Sequence, residues 1–542
     1  MNAFQNVQVI LTKSVAVSLI LLFTYASLRS VYNVFFHPLR RVPGPFLAKI
    51  SRLWLFYHDY HGNPHNHIRE LHRKLGTGKE SISQFCLSCL RICLSMLFTR
   101  TPSGPLVRIS PNEVSVDDVD ANNTIYAQNN PWVKPAYHYK AFQSSTAYSI
   151  FTELDPQTHA AHSRLLAPAF SQTRVSATDA QRLLWDKCEA MMEGMDNKLG
   201  AEKHEGGASN TLTMSLGRCF RSFALDVVTT WTFGHCAESL PTFHSDLFEI
   251  LDVAAESVIY FQHIPFLRAL IPYIAPLVPS LVPNKILGQY AKKALEANRA
   301  ALKGLREVVP CVFSNLVSSQ WQEKRGYSPS DGQIISDGIV ILAAGADTTA
   351  AALSIGIHWL ARQPDLWKQL QDELRPVMNG FEKPPRIEAL AALPLLNAVL
   401  KEGLRVSCPI RGHMPRVVPP EGWNYKGIHF PPGTVIATSA FYGCYNETVF
   451  PNPECYDPTR WLPPKHSSKM EAHLQPFSRG TRQCIGQNLT LAMQRVVIAS
   501  IVYNFQPVAV DNTTIRTREF VTLLVDSPLE VTLVTTNRLD QH

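Results

Sequence analysis

The 542-residue sequence lacks any concentration of charge, although it carries a formal net charge of +7. Its 51 basic and 44 acidic residues are spread along the chain, which is too diffuse for a nucleic-acid-binding surface. The cysteines lack a regular spacing, and their count of 11 is odd. These features indicate free thiols in a reducing compartment. The diffuse positive charge suits an anionic membrane surface or an acidic protein partner.

The sequence also lacks a clean boundary between domains. Its length alone suggests about three or four domains, but nothing along the chain marks where one would end. With 45% hydrophobic residues, the chain can bury a large core. We therefore predict one large domain over residues 46–542.

An apolar run at residues 7–28 contains Lys13 as its only charged residue. About 20 apolar residues are enough to cross a bilayer as a helix. Arginines follow the run, which places its C-terminal side in the cytosol. Because no small-residue cleavage site is obvious, residues 1–36 are predicted to be an uncleaved membrane anchor; a cleaved signal and an interfacial helix are the alternatives. Prolines then stiffen a hinge at residues 37–45.

A decapeptide from Phe477 to Gly486 carries the strongest chemical signal, F-x-x-G-x-R-x-C-x-G. Cysteine thiolate is a strong ligand for haem iron, and the alternative is a buried structural cysteine in a turn. Gly480 and Gly486 permit close approach of a flat ring and tolerate positive φ. Backbone N–H groups of the helix that follows are expected to lower the pKa of Cys484. Arg482 is placed to meet an anionic haem propionate.

This decapeptide resembles the haem-binding signature of the cytochrome P-450 superfamily. The resemblance implies a mainly α fold with small β-sheets, preceded here by an N-terminal transmembrane helix. It also implies haem b as the cofactor, with the Cys484 thiolate as metal ligand and Phe477, Gly480, Arg482 and Gly486 in the binding loop. It extends over nearly the whole chain.

A second motif lies in a long apolar helix predicted over residues 330–363, which an S-x-x-Q capping box opens and a proline ends. Residues 344–349 read A-G-A-D-T-T, where glycine and alanine are expected to leave room for dioxygen. The segment resembles the family's oxygen-binding motif, which implies that Asp347 and Thr348 are catalytic and relay protons. In the structural alternative, Thr348 bonds back to a carbonyl group and Asp347 forms a salt bridge.

Glu402 and Arg405 form an E-x-x-R pair that shares one face of a helix. The resemblance implies that Arg460 joins them in a buried triad with a structural role. It also matches Arg416 to a residue that meets a haem propionate; a surface arginine is the alternative.

The helix predicted around residues 159–171 departs from the family pattern. Members commonly place a tryptophan and, four residues later, an arginine against a haem propionate. His159 and Ser163 stand at those positions here, so that role is in doubt. A hydrogen bond from His159 to the haem and a solvated helix face are the two alternatives.

Residues 77–104 interrupt the resemblance, because in related members a helix leads almost directly into the strand predicted at residues 105–110. Three interpretations stay open. The first is a metal site at Cys86, Cys89 and Cys93, although no fourth ligand is nearby. The second is an apolar loop that touches the membrane. The third, which we favour, is a retained intron, since its removal restores a family-like sequence.

The motifs together predict a haem-thiolate monooxygenase. The resemblance implies that it takes electrons from NADPH–cytochrome P-450 reductase and inserts one atom of O2 into a lipophilic substrate. The sequence as a whole resembles fungal oxygenases of secondary metabolism, of the trichodiene oxygenase type, and this resemblance implies a terpenoid or polyketide-derived substrate. The expected location is the endoplasmic reticulum membrane, single-pass, with a cytosolic catalytic domain. An isomerase or dehydratase without external electrons, and a non-catalytic haem-binding protein, are the alternatives.

Overall fold

The chain is mainly helical with small β-sheets, as the sequence predicted. The computed structural model describes residues 2–76, 105–128, 131–143, 147–204, 211–274, 283–304, 309–378, 380–381, 383–511, 514–520 and 522–535. The insertion at residues 77–104 lies outside the described residues, so its three interpretations stay open.

The helices differ widely in length, from single turns to spans of more than 30 residues. In chain order they are α1 Asn2–Phe35, α2 Phe46–Ile50, α3 Leu53–Tyr60, α4 Pro64–Gly76, α5 Val119–Ile125, α6 Ala136–Tyr139, α7 Pro156–Leu166, α8 Gln172–Val175, α9 Thr178–His204, α10 Leu216–Phe233, α11 Asp246–His263, α12 Leu267–Ile274, α13 Pro283–Leu302, α14 Val312–Val317, α15 Ser319–Arg325, α16 Asp331–Ala361, α17 Pro364–Leu374, α18 Ile387–Ala391, α19 Pro394–Ser407, α20 Ala440–Cys444, α21 Ser468–His473 and α22 Gln487–Asn504. Short 3-10 turns include Pro38–Arg41, Pro458–Trp461 and Gly480–Arg482.

The strands are short and form small sheets. They are β1 Leu106–Ser110, β2 Glu113–Val116, β3 Thr211–Ser215, β4 Arg416–Val417, β5 Trp423–Tyr425, β6 Ile428–Phe430, β7 Val435–Ala437, β8 Phe505–Val510, β9 Thr517–Phe520, β10 Thr522–Val525 and β11 Glu530–Thr535.

Residue contacts divide the chain into two compact units: Met1–Asp118 with His413–Thr438, and Val119–Gly412 with Ser439–His542. In the first unit, four strands form a sheet in the order β1-β2-β7-β4, in which only β2 and β7 are parallel. Strands β5 and β6 form a separate antiparallel pair. In the second unit, the order β3-β11-β8 gives a three-stranded sheet, and β9 pairs with β10.

A fully buried arginine of the first unit ties the end of α1 to the sheet. Arg108 of β1 donates hydrogen bonds to the carbonyl groups of Asn33 at 3.1 Å, Leu39 at 3.4 Å and Pro111 at 2.6 Å. Gly44 lies so close that a Cβ atom there would be 2.1 Å from the Arg108 carbonyl oxygen. The proline-rich stretch after α1 is therefore packed against β1.

Two of the helices in the described chain are long and apolar enough to cross a membrane. Within the stretch Lys13–Phe35 of α1, no residue of the apolar window is buried, which fits membrane anchoring. Helix α16 has the same mean hydropathy, but two thirds of its apolar window is buried within the protein, as in a core helix.

Helix α16 runs through the core of the second unit. Its predicted capping box is confirmed: the Ser330 side chain accepts from the backbone N–H of Gln333, whose side chain accepts from the backbone N–H of Ser330. The helix ends at Ala361, just before the proline that begins α17. It packs against α10, α19 and α22, and its neighbours form one continuous apolar cluster.

Candidate active site

The cysteine loop ends where α22 begins. The backbone N–H of Cys484 donates to the carbonyl oxygen of Phe477 at 2.9 Å and closes the loop. Gly480 has φ +73°, and a Cβ atom there would lie 2.0 Å from the Tyr126 carbonyl oxygen, so only glycine fits. Gly486 has an ordinary φ of −83°. Positive φ is thus needed at Gly480 and not at Gly486.

The Cys484 side chain faces an internal opening. The residue is exposed, yet enough protein surrounds it that burial raises the pKa of its thiol. Backbone N–H groups of Gly486 and Gln487 bond to the sulfur and lower the pKa, but burial outweighs them. The expectation of a lowered thiol pKa is therefore wrong for the protein alone, since coordination to a metal cation is what deprotonates such a thiol. Amide donors on one side of the sulfur and open space on the other fit a thiolate ligand of a haem.

The middle of α16 exposes a stripe of small residues although most of the helix is buried. Ala344 is exposed and Thr348, one turn later, is half-buried, while Asp347 beside it is buried. Phe477 and Ile485 of the cysteine loop pack at the edge of the same apolar cluster that α16 crosses. The loop and α16 thus both pack against the main apolar cluster of the second unit.

The structure gives Gly345 a different role from the one expected. A Cβ atom at this position would lie 2.7 Å from Val228 Cγ2 on α10. The glycine lets α10 and α16 approach each other, and α16 continues without interruption. The exposed small residue of this motif is Ala344.

Asp347 is held by a partner that sequence reasoning missed. Arg221 of α10 donates to it at 2.8 Å and also to Asp252 of α11 at 3.2 Å. Burial raises the pKa of Asp347, Arg221 lowers it, and Asp252 raises it, with a net rise. Thr348 Oγ1 donates to the Ala344 carbonyl at 2.7 Å. Both contacts of the structural alternative are therefore present, and the catalytic roles stay predictions.

Glu402 lies at the centre of a buried polar cluster. Its carboxylate accepts from Arg405 at 2.8 Å and 2.9 Å and from Arg460 at 3.1 Å. Trp461 Nε1 and the backbone N–H of Asp457 also donate to it, each at 2.9 Å. Neither of these last two donors has a sequence pattern that would have revealed it.

The three remaining predicted haem contacts lie in different settings. Arg482 donates to the Glu153 carbonyl oxygen at 2.8 Å and is half-buried. His159 is buried on α7, so the alternative of a solvated helix face is wrong. Arg416 is a buried residue of the first unit and donates to the Pro415 carbonyl oxygen at 2.9 Å. Their roles towards a haem stay predictions.

Comparisons with known proteins agree with this arrangement. The chain is 28% identical to cytochrome P450 monooxygenase aneF of Aspergillus aculeatus, over 86% of this chain and 88% of that protein. It is also 28% identical to cytochrome P450 monooxygenase macH of Penicillium terrestre, over 89% of each. A crystal structure of the cytochrome P450DA heme domain has a TM-score of 0.62 at 16% identity and covers 79% of this chain and 88% of its own. At that identity, it shows the fold.

The sequence model of the Cytochrome P450 family matches residues 114–533, well over half of the chain. Members of this family in general carry a haem with a thiolate ligand and use O2, a lipophilic substrate and a redox partner. The chain therefore belongs to the cytochrome P450 family and is one of its monooxygenases.

Proposed function

We propose that this protein is a membrane-anchored monooxygenase that hydroxylates or otherwise oxidises a lipophilic secondary metabolite, of terpenoid or polyketide origin. The observation that carries the proposal is the setting of Cys484, whose sulfur receives amide hydrogen bonds and faces an internal opening. Relatives that are named cytochrome P450 monooxygenases come from species of Aspergillus and Penicillium, which supports a fungal type.

In this proposal, Cys484 holds the iron of haem b as a thiolate, and the N–H groups of Gly486 and Gln487 stabilise its negative charge. Arg482 meets a haem propionate, and the corresponding role of Arg416 stays a prediction. When bound, the haem supplies the site at which O2 is reduced and one oxygen atom enters a C–H bond.

The chain's own part in the reaction is the supply of protons. Asp347 is a buried acid with a raised pKa, and it is bound to Arg221, which also binds Asp252. The Thr348 hydroxyl donates to a helix carbonyl, so its oxygen is left as an acceptor on a half-buried side chain. Asp347 would take up a proton and release it to a water molecule that donates a hydrogen bond to the Thr348 hydroxyl oxygen, and this water would pass one of its own protons on to the reacting oxygen.

Two apolar regions support a lipophilic substrate and a membrane location. Helix α1 supplies an anchor for the endoplasmic reticulum membrane, with the catalytic part in the cytosol. In the second unit, Phe266 and Tyr273 are 67% and 78% exposed around α12, which suits entry of an apolar molecule from a bilayer. Electrons would come from NADPH–cytochrome P-450 reductase.

The ligand assignment is tested by Cys484→Ala. We expect this variant to lose the red-shifted absorption band of the reduced carbon monoxide complex, because the thiolate is gone. Cys455→Ala is a matched control, since Cys455 is also an exposed cysteine but lies outside the loop. A band that persists in Cys484→Ala would contradict the assignment.

The substrate class is tested by deletion of the gene in its host. An apolar terpenoid or polyketide should accumulate, and the purified protein with reductase and NADPH should convert it to a product one oxygen atom heavier. Accumulation of a polar, non-aromatic metabolite such as a sugar would contradict the proposed substrate class.

A further inference from the structure

A short buried turn at residues 149–153 connects α16 to the cysteine loop. The backbone N–H groups of Thr152 and Glu153 donate to the Ser149 carbonyl oxygen at 3.1 Å and 2.9 Å. The backbone N–H of Ser149 donates back to Thr152 Oγ1 at 2.8 Å. Ser149 and Thr152 are fully buried, so the turn is a closed unit of fixed shape.

Asp337 of α16 fixes one end of this turn. Its Oδ1 accepts from the backbone N–H of Ile150 at 2.7 Å, and its Oδ2 accepts from His162 Nε2 of α7, also at 2.7 Å. The side chains of Asp337 and His162 have no exposed surface. A buried carboxylate that uses both oxygens in this way is costly to move, because any shift leaves a charge without partners.

The other end of the turn fixes Arg482. The Glu153 carbonyl oxygen accepts from Arg482 Nη1 at 2.8 Å. A free arginine side chain has many rotamers, and holding it in one orientation removes that entropy cost before a ligand binds.

We propose that Asp337 is a positioning residue that acts through the turn at residues 149–153 to hold Arg482 in the orientation that meets a haem carboxylate. The inference rests on the proposed function, in which Arg482 contacts a propionate. Asp337 itself touches neither the cysteine loop nor the stripe on α16, and its contacts are with Ile150 and His162.

The test is a double-mutant cycle on the haem-loaded, full-length protein. The rate of haem transfer to excess apomyoglobin is measured for Asp337→Ala, Arg482→Ala and the double variant. Each single variant should lose haem about tenfold faster, the effect of one lost hydrogen bond to a charged group. The double variant should lose it no faster than Arg482→Ala alone, because Asp337 acts through Arg482. The haem reduction potential should become more negative in both single variants, since a cation near the ring is lost or displaced.

Asp226→Ala is the matched control. Asp226 is a buried carboxylate of a core helix that accepts backbone N–H groups of a neighbouring loop, from Ser239 at 2.9 Å and Leu240 at 3.3 Å. It should lower the melting temperature as Asp337→Ala does, but leave the rate of haem loss and the potential unchanged. Asp337→Asn keeps an oxygen for the Ile150 N–H and should return haem loss to near the native rate.

Thr152→Val is the second route if Asp337→Ala does not fold. It is close to isosteric and removes the hydroxyl that accepts from the Ser149 N–H and also lies 3.1 Å from Ser149 Oγ, both within the turn. Thr152→Val alone should lose haem faster than the native protein. If adding it to Arg482→Ala causes no further increase in the rate of haem loss, the proposal is supported.

Two results separate the inference from the function on which it rests. If Arg482→Ala retains haem like the native protein, the propionate contact is wrong and both fall. If Arg482→Ala loses haem faster but Asp337→Ala behaves like Asp226→Ala, or if the two effects add, the positioning role alone is overturned.

Discussion

Helix α16 carries two buried aspartates ten residues apart, and they are neutralised in different ways. Asp337 has a partner of its own, His162, and a backbone N–H, so each oxygen has a fixed donor. Asp347 shares Arg221 with Asp252, so one cation serves two carboxylates. The first arrangement is balanced and rigid. In the second, burial and then the charge of Asp252 raise the pKa of Asp347, although Arg221 lowers it.

The difference teaches that burial alone does not decide whether an acid is part of the scaffold or of the chemistry. Both side chains are almost fully buried. What separates them is whether the side-chain partner is shared with a second carboxylate and which residues are their neighbours. Asp347 adjoins the half-buried Thr348, whereas Asp337 is enclosed by α7 and the turn at residues 149–153.

The largest expected effect is on Asp347. Asp347→Asn removes the ionisable acid and should slow product formation about 100-fold, the lower end of the range for a general acid–base group. Partly reduced oxygen should then be released as hydrogen peroxide. The amount of product formed per NADPH oxidised should therefore fall, and the amount of hydrogen peroxide should rise. Asp226→Asn, in which a different buried carboxylate is changed, controls for stability. Unchanged coupling of NADPH to product in Asp347→Asn would contradict the relay.

A smaller effect is expected when the partners of Asp347 are changed. Arg221 lowers and Asp252 raises the pKa of Asp347. Arg221→Met should therefore move the pH at which Asp347 ionises upward, and Asp252→Asn should move it downward. The measurement is the pH dependence of kcat/KM for product formation. Shifts in the same direction for both variants would show that another group sets the profile.

The pair at Asp337 should appear in stability rather than in turnover. Burial lowers the pKa of His162, but the charge and hydrogen bond of Asp337 and the charge of Glu153 outweigh it, and the pKa is raised above 6.5. A raised folded-state pKa gives stability that is fully present below pH 6.5 and is lost as pH rises through the folded value. The ring of Tyr327, which packs on His162, titrates far above this range.

The melting temperature of the native protein should thus fall as pH rises above 6.5, and His162→Gln should flatten this dependence. Thermal unfolding over a pH series checks it. A variant that keeps the native pH dependence would show that His162 is neutral in the folded protein.

The smallest effect is expected at the first residue of the same helix. Asp331 pairs with Arg299, and their side chains are 56% and 45% exposed. Asp331→Ala should change the free energy of unfolding by less than about 1 kcal/mol, since solvent screens such a pair and the helix N-terminus adds little. Denaturant unfolding checks it. A larger loss of unfolding free energy would show that the contribution of an acidic residue on α16 to stability does not follow from its exposure.

Local patterns predicted the parts of the site that depend on neighbours in sequence. The capping box at Ser330, the E-x-x-R pair and the positive φ at Gly480 each follow from a few adjacent residues. The partners from distant elements could not be predicted. Arg221 lies 126 residues from Asp347 and Glu153 lies 329 residues from Arg482, and no periodicity records either contact. The burial that raises the pKa of the Cys484 thiol is likewise a property of the packed protein.

Arg108 has a consequence for how the first unit responds to a membrane. The Arg108 guanidinium donates hydrogen bonds to carbonyl groups at the end of α1 and in the stretch after it, so the orientation of the sheet is fixed relative to that helix. In a thinner bilayer an embedded α1 would tilt, and β1 and β2 would rotate with it through the same angle. Lipid composition would then set the inclination of this unit directly.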